Sequence, residues 1–161
     1  MALLENPPEN PCFGCGKANP RGLHLDFERR KAASTDREVV ACTFVPKEDE
    51  IGWPGLLHAG LHHFVLFETS YWAALTLGGK VHRFGGKGSF DQERLPRVGR
   101  PCTVEALVTS CSPELRIVAT SINDRQATCG RLETNWVPAS RTEAAAAGLV
   151  LPQYLLDEMD P

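Results

Sequence analysis

Residues 58–79 read HAGLHHFVLFETSYWAALTLGG. After Gly60 nothing in this stretch interrupts a helix until Gly78-Gly79, a C-terminal glycine signal, and its length suits a helix rather than a strand. Leu61, Phe64, Val65, Leu66, Phe67, Tyr71, Trp72, Ala73, Ala74 and Leu75 make it apolar nearly all round. Such a helix is buried on most sides. From Leu56 to Leu77 the run is about as long as a membrane span. His58, His62, His63, Glu68, Thr69, Ser70 and Thr76 would be costly in lipid, so the buried helix of a soluble protein is the better reading.

The flanks of this helix read as strands. Residues 1–22 hold four prolines and three glycines and are expected to be an irregular arm. Over 23–30, Leu23, Leu25 and Phe27 alternate with His24, Asp26 and Glu28, which predicts a half-buried strand. A polar turn and a β-branched stretch at 38–45 follow, a hairpin partner for the first strand. Residues 46–54 are a loop, closed by the turn Gly52-Trp53-Pro54-Gly55. Beyond the helix, 81–94, 100–111, 114–123 and 126–137 read as four strands, separated by 95–99, a Ser112-Pro113 turn and an Asp124-Arg125 turn. The tail, 139–161, is assigned short peripheral helix. The order excludes a doubly wound parallel sheet, because strands and helices do not alternate. The expectation is an α+β domain over 23–138, with an antiparallel sheet of about six strands around one central helix. Open sheet edges would favour dimerisation.

The 161 residues and 17.6 kDa fit one domain, and 42% hydrophobic content excludes a disordered chain. Seventeen basic against twenty acidic residues give a net charge of −3, which argues against nucleic acid as a partner. The opening MALLENPPENPC has neither the basic start nor the apolar core of a secretory leader. A cytoplasmic location with reduced thiols is therefore expected.

Several residues carry chemistry. Glu68 shares a helix face with Leu61, Phe64, Val65, Trp72 and Leu75. A carboxylate there should have a raised pKa, suited to general-base work unless an arginine or the helix's polar edge neutralises it. His58 precedes the helix, and the N–H groups beside Ala59 and Gly60 could polarise a carbonyl with help from the helix dipole. His58, His62 and His63 invite a metal reading. Ala59 stands where a zincin would carry glutamate, so polar-edge or substrate-side histidines are preferred. Cys12-Phe13-Gly14-Cys15 has the shape of a zinc knuckle, but a closed site needs two further ligands, and His24 and Cys42 are isolated candidates. Reduced, packed thiols in a glycine-rich turn are the preferred reading, so no metal is expected. Arg83, Lys87, Arg94, Arg97 and Arg100 form a basic cluster, a solvated loop or a phosphate grip for an extended nucleotide. Trp53, Phe64 and Trp72 suit an acyl pocket or core packing equally.

Together CFGCGKANPRGLHLDF, GWPGLLHAGL, the apolar helix and SFDQERLPRVGRPCTVEA resemble the hotdog-fold acyl-CoA thioesterase superfamily, in its phenylacetate-degradation and 4-hydroxybenzoyl-CoA thioesterase branch. The resemblance covers roughly 12–137. It implies a curved antiparallel sheet around the helix, homodimers or dimers of dimers, and active sites at the subunit interface. It also implies hydrolysis of the thioester of an acyl-CoA or acyl-carrier substrate, with coenzyme A as part of the substrate and no other cofactor. The family's His-Gly-Gly is here His58-Ala59-Gly60. Its catalytic acid, nine residues after that histidine, is here Phe67, and Glu68 matches the second acid of the family's Asp-Glu pair. Carried over, Glu68 activates water or attacks the acyl carbon, while Gly60 and His58 stabilise the oxyanion. His62, His63, Phe67, Trp72, Arg94, Arg97 and Arg100 then line the substrate. Hydratases of this fold use an Asp close to a His at a helix start, and no Asp lies near His58. Two alternatives follow: a catalytically silent acyl-CoA or lipid-binding protein, and a zinc-stapled interaction module built on Cys12 and Cys15.

Overall fold

The computed structural model describes residues 2–32, 35–79, 81–112, 114–146, 153 and 157. In chain order the elements are β1 (Ala2–Leu3), β2 (Glu28–Lys31), β3 (Glu38–Phe44), a 3-10 turn (Glu48–Glu50), β4 (Ile51–Trp53), β5 (Leu56–Leu57), α1 (Ala59–Leu77), β6 (His82–Gln92), β7 (Cys102–Ser110), β8 (Leu115–Asn123), β9 (Thr128–Pro138) and α2 (Arg141–Ala146). The main sheet is antiparallel throughout, in the order β1-β2-β3-β7-β8-β9-β6. Six of these strands are the expected ones, and α1 is the expected central helix.

Each central strand turns every second side chain toward α1. Val104 and Ala106 of β7, Ile117 and Ala119 of β8, and Leu132 and Trp136 of β9 form one core with Val65, Leu66, Trp72, Ala73 and Ala74 of the helix. Ala106 and Ala119, both fully buried, keep the sheet surface shallow where the helix lies on it. Three hydroxyls of the helix are satisfied internally. Thr69, Ser70 and Thr76 donate to the carbonyls of Val65, Leu66 and Trp72 at 2.7, 2.9 and 2.7 Å. Among the described residues no helix is long and apolar enough to cross a membrane.

Three expectations are corrected. The 1–22 arm is not wholly irregular, because Ala2 and Leu3 pair with Arg29 and Glu28 as a seventh strand. The 23–30 strand is regular only from Glu28. His24 has a left-handed φ of 51°, and the N–H groups of Leu23 and Leu25 donate to the carbonyls of Phe13 and Gly14 in the arm. The alternation at Leu25 and Phe27 still buries both side chains. The Gly52–Gly55 turn proves to be the tip of a small hairpin, β4 with β5, that delivers the chain to α1. At the C-terminus α2 supplies the short helix. Ser140 and Glu143 cap it reciprocally, the Ser140 N–H donating to Glu143 Oε2 at 2.9 Å and the Glu143 N–H to Ser140 Oγ at 3.2 Å. Pro113 and most of the tail beyond residue 146 lie outside the described residues.

Candidate active site

The start of α1 stands at the surface, and one turn on His63 packs against Phe90 of β6, the last strand of the sheet. His58, Ala59 and Gly60 are all exposed. His58 is the N-cap: its Nδ1 accepts the Gly60 N–H at 3.0 Å. With Nδ1 accepting, Nε2 is the ring nitrogen that carries the hydrogen. The Gly60 donor is thus occupied by His58, and rotation of the imidazole would release it.

The five further residues sought on the helix fall on different faces. His63 is half-buried, with its ring 5.0 Å from Phe90 of β6. Phe67 lies on the same side, 5.1 Å from Phe84 and 5.6 Å from Trp136. Phe84 is 39% exposed, so this aromatic cluster reaches the open sheet edge. His62 is fully buried instead and bonds Ser121 Oγ at 2.8 Å, a core position with no surface to offer a ligand. Trp72 is stacked on Phe27 at 5.3 Å and is 3% exposed, again in the core.

Glu68 points under the N-terminal arm. Only 6% exposed, it accepts from the Cys12 thiol at 3.3 Å. Burial, then the neighbouring Cys12 charge, pushes its pKa up to about 7. Cys12 is lowered to about 5, chiefly because the Cys15 thiol and the backbone N–H groups of Cys15 and Gly14 stabilise its thiolate. Cys15, the donor in that exchange, is pushed up. The raised carboxylate expected from the sequence is present, but its surroundings are the CxxC turn.

Three of the five clustered basic residues converge, whereas Arg83 lies against Glu143 instead and Lys87 is not part of the cleft. Arg94, Arg97 and Arg100 line an open cleft of about 780 Å³ together with Arg125 from the β8–β9 turn. Two acids, Glu93 and Asp124, share the cleft, and their ion pairs with Arg94 and Arg100 are long, at 3.6 and 3.7 Å. Four guanidinium groups against two carboxylates leave the cleft net positive. Leu56 forms part of its wall, two residues before His58, and Leu57 N–H is tied to the Pro96 carbonyl at 3.0 Å. The cleft and the helix start are therefore consecutive along the chain, joined through β5. Arg125 escaped the sequence reading because its turn is far from Arg94 in the chain. The pairing of β6 against β9 brings them together, with the Arg94 N–H donating to the Cys129 carbonyl just after that turn.

Comparison by sequence finds no matching family profile and no match among curated proteins. Comparison by structure finds many matches. A thioesterase superfamily protein superimposes with a TM-score of 0.64 at 19% identity, over 76% of this chain and 60% of that one. This chain thus spans less than two thirds of that relative's length. The E. coli PaaI protein from the phenylacetic acid degradation operon gives 0.63 at 16% identity, over 78% and 84%. A Streptococcus mutans protein bound to acetyl CoA gives 0.60 at 10% identity, over 70% and 88%. At these identities the likeness establishes architecture: the chain has the hotdog fold of thioesterase-superfamily structures.

Proposed function

We propose that the protein hydrolyses the thioester of an acyl-CoA, with the coenzyme's phosphates in the arginine cleft and the thioester carbonyl at the exposed start of α1. The observation that carries this reading is the continuity of the two: Leu56 lines the cleft and leads directly into His58. Guanidinium groups grip phosphates through paired N–H donors, and Arg97 has no salt bridge among the described residues to compete. At the helix start, backbone N–H groups and the dipole stabilise the negative charge that builds on a thioester oxygen. The His58 Nε2–H is a donor in the same place, able to bond that oxygen or to protonate the departing thiolate. In this reading two copies of the chain join along β6, covering Phe84 and completing the acyl site between them.

A second reading is binding without turnover, favoured by one observation. Phe67, where the resemblance puts the catalytic acid, sits against Phe84 and Trp136, while Glu68 lies beneath Cys12. One assay separates the readings: release of free coenzyme A from a panel of acyl-CoAs, beside calorimetric binding of the same compounds. Turnover that falls in His58→Ala supports hydrolysis. Binding with no turnover by the wild type establishes the second reading, and absence of both overturns the two together.

A further inference from the structure

Two thiols and a carboxylate from distant parts of the chain meet under the N-terminal arm. Cys12 Sγ, Cys15 Sγ and a Glu68 carboxylate oxygen all lie within 4.8 Å of one another. In a tetrahedral zinc site with Zn–S bonds of about 2.3 Å, neighbouring donor atoms stand about 3.8 Å apart. Closing these three onto a metal therefore takes shifts of no more than about 1 Å.

The peptide around them is arranged for sulfur ligands. Asn10 Nδ2 lies 3.6 Å from the Cys15 sulfur. Asn10 is itself buried and braced, donating to Asn6 Oδ1 at 2.8 Å and accepting the Cys12 N–H at 3.0 Å. Such outer donors hold metal-bound thiolates in place. Gly14 brings the turn down onto the carboxylate: a Cβ there would stand 2.8 Å from Glu68 Cδ.

Charge supplies the remaining argument. Among the described residues no salt bridge includes Glu68. A buried carboxylate facing two thiols must keep its proton or share a cation. Two soft sulfurs with one oxygen are a donor set zinc accepts, displacing the protons as it binds. A Cys12–Cys15 disulfide would instead leave the carboxylate with no partner.

We propose that Cys12, Cys15 and Glu68 bind a zinc ion that fastens the N-terminal arm to the central helix, its fourth position open beside half-buried Cys12. The test is metal content of the full chain, loaded with zinc under reducing conditions and freed of excess by gel filtration. About one zinc per chain is expected. Cys111→Ser, an exposed thiol outside the cluster, should keep it. Cys15→Ser should lose it, and Glu68→Gln should bind at least roughly tenfold to a hundredfold more weakly. Should a variant fail to fold, the wild type decides the question with cobalt(II), because two thiolates give a sulfur-to-cobalt charge-transfer band in the near ultraviolet. The proposal is overturned by a reduced protein that takes up no zinc and shows no such band. A Cys12–Cys15 disulfide whose reduction brings no zinc uptake, or full zinc retention by Cys15→Ser, overturns it equally.

Discussion

His62 offers the sharpest test of how the core is built. It is fully buried, and its Nε2 lies 2.8 Å from Ser121 Oγ. Ser121 gives its own hydroxyl proton to the Gly130 carbonyl at 3.2 Å, so it must accept from His62 Nε2–H. Nδ1 then holds a lone pair and has no partner among the described residues. Protonation would place a charge and an unpaired N–H in the core. Burial, and next the neighbouring His63, accordingly lower its pKa from 6.5 to about 4. Between those values the unfolded chain binds the proton and the folded one does not. Stability must therefore fall as the pH drops from about 6.5 toward 4. At 1.36 kcal/mol per pH unit, the full span is worth on the order of 3 kcal/mol, and about 2 kcal/mol between pH 7 and 4.5. His62→Leu keeps a similar volume and cannot titrate. Urea unfolding of both proteins at the two pH values isolates the effect, since groups not coupled to His62 titrate alike in both and cancel. The wild type should lose about 2 kcal/mol more than the variant on acidification. Equal losses would refute a neutral, buried His62.

Further outcomes follow from close contacts and charge. Gly130→Ala would put a Cβ 2.9 Å from His62 Cε1 and 3.2 Å from the Asp91 carbonyl. It should destabilise by roughly 1–3 kcal/mol in thermal unfolding, as overpacked cores do. Gly14→Ala should do the same by pushing the Glu68 carboxylate away from Cys12, and thiol alkylation at Cys12 should quicken with it. Arg97→Ala should weaken coenzyme A binding about tenfold by calorimetry, the loss of about 1.4 kcal/mol from one phosphate contact. Raising the salt concentration should weaken wild-type binding more than that of the variant, because screening removes what the variant already lacks.

The fold was legible where its cause is local. The central helix is written in one uninterrupted apolar run, and the strands expected at 100–111 and 114–123 appear as β7 and β8, each with one buried and one mostly half-buried face. Pairing between distant segments was not legible. Leu23 and Leu25 alternate as a strand would, yet their N–H groups bond to the arm, and no pattern within 23–30 announces that partner. Glu68 shows the same division. Its apolar neighbours along the helix foretold burial, while the group it meets is Cys12, 56 positions earlier. Arg94, Arg97 and Arg100 were visible as a cluster because they are adjacent in sequence. Arg125 joins them only through the tertiary fold.

Phe67 and Glu68 are neighbours in sequence but about 100° apart around the helix. That rotation divides the molecule's chemistry. Phe67 faces the open sheet edge with Phe84, and Glu68 faces the arm with Cys12. The proposed hydrolytic site at the helix start and the proposed metal site under the arm therefore draw on one helix without sharing side chains. Their separation has a measurable consequence: Arg97→Ala should lower coenzyme A affinity while leaving the zinc content of the chain at the wild-type value. Loss of zinc in that variant would mean that cleft and arm are mechanically joined through the β4–β5 hairpin and the helix start, and the two sites would have to be reasoned about as one.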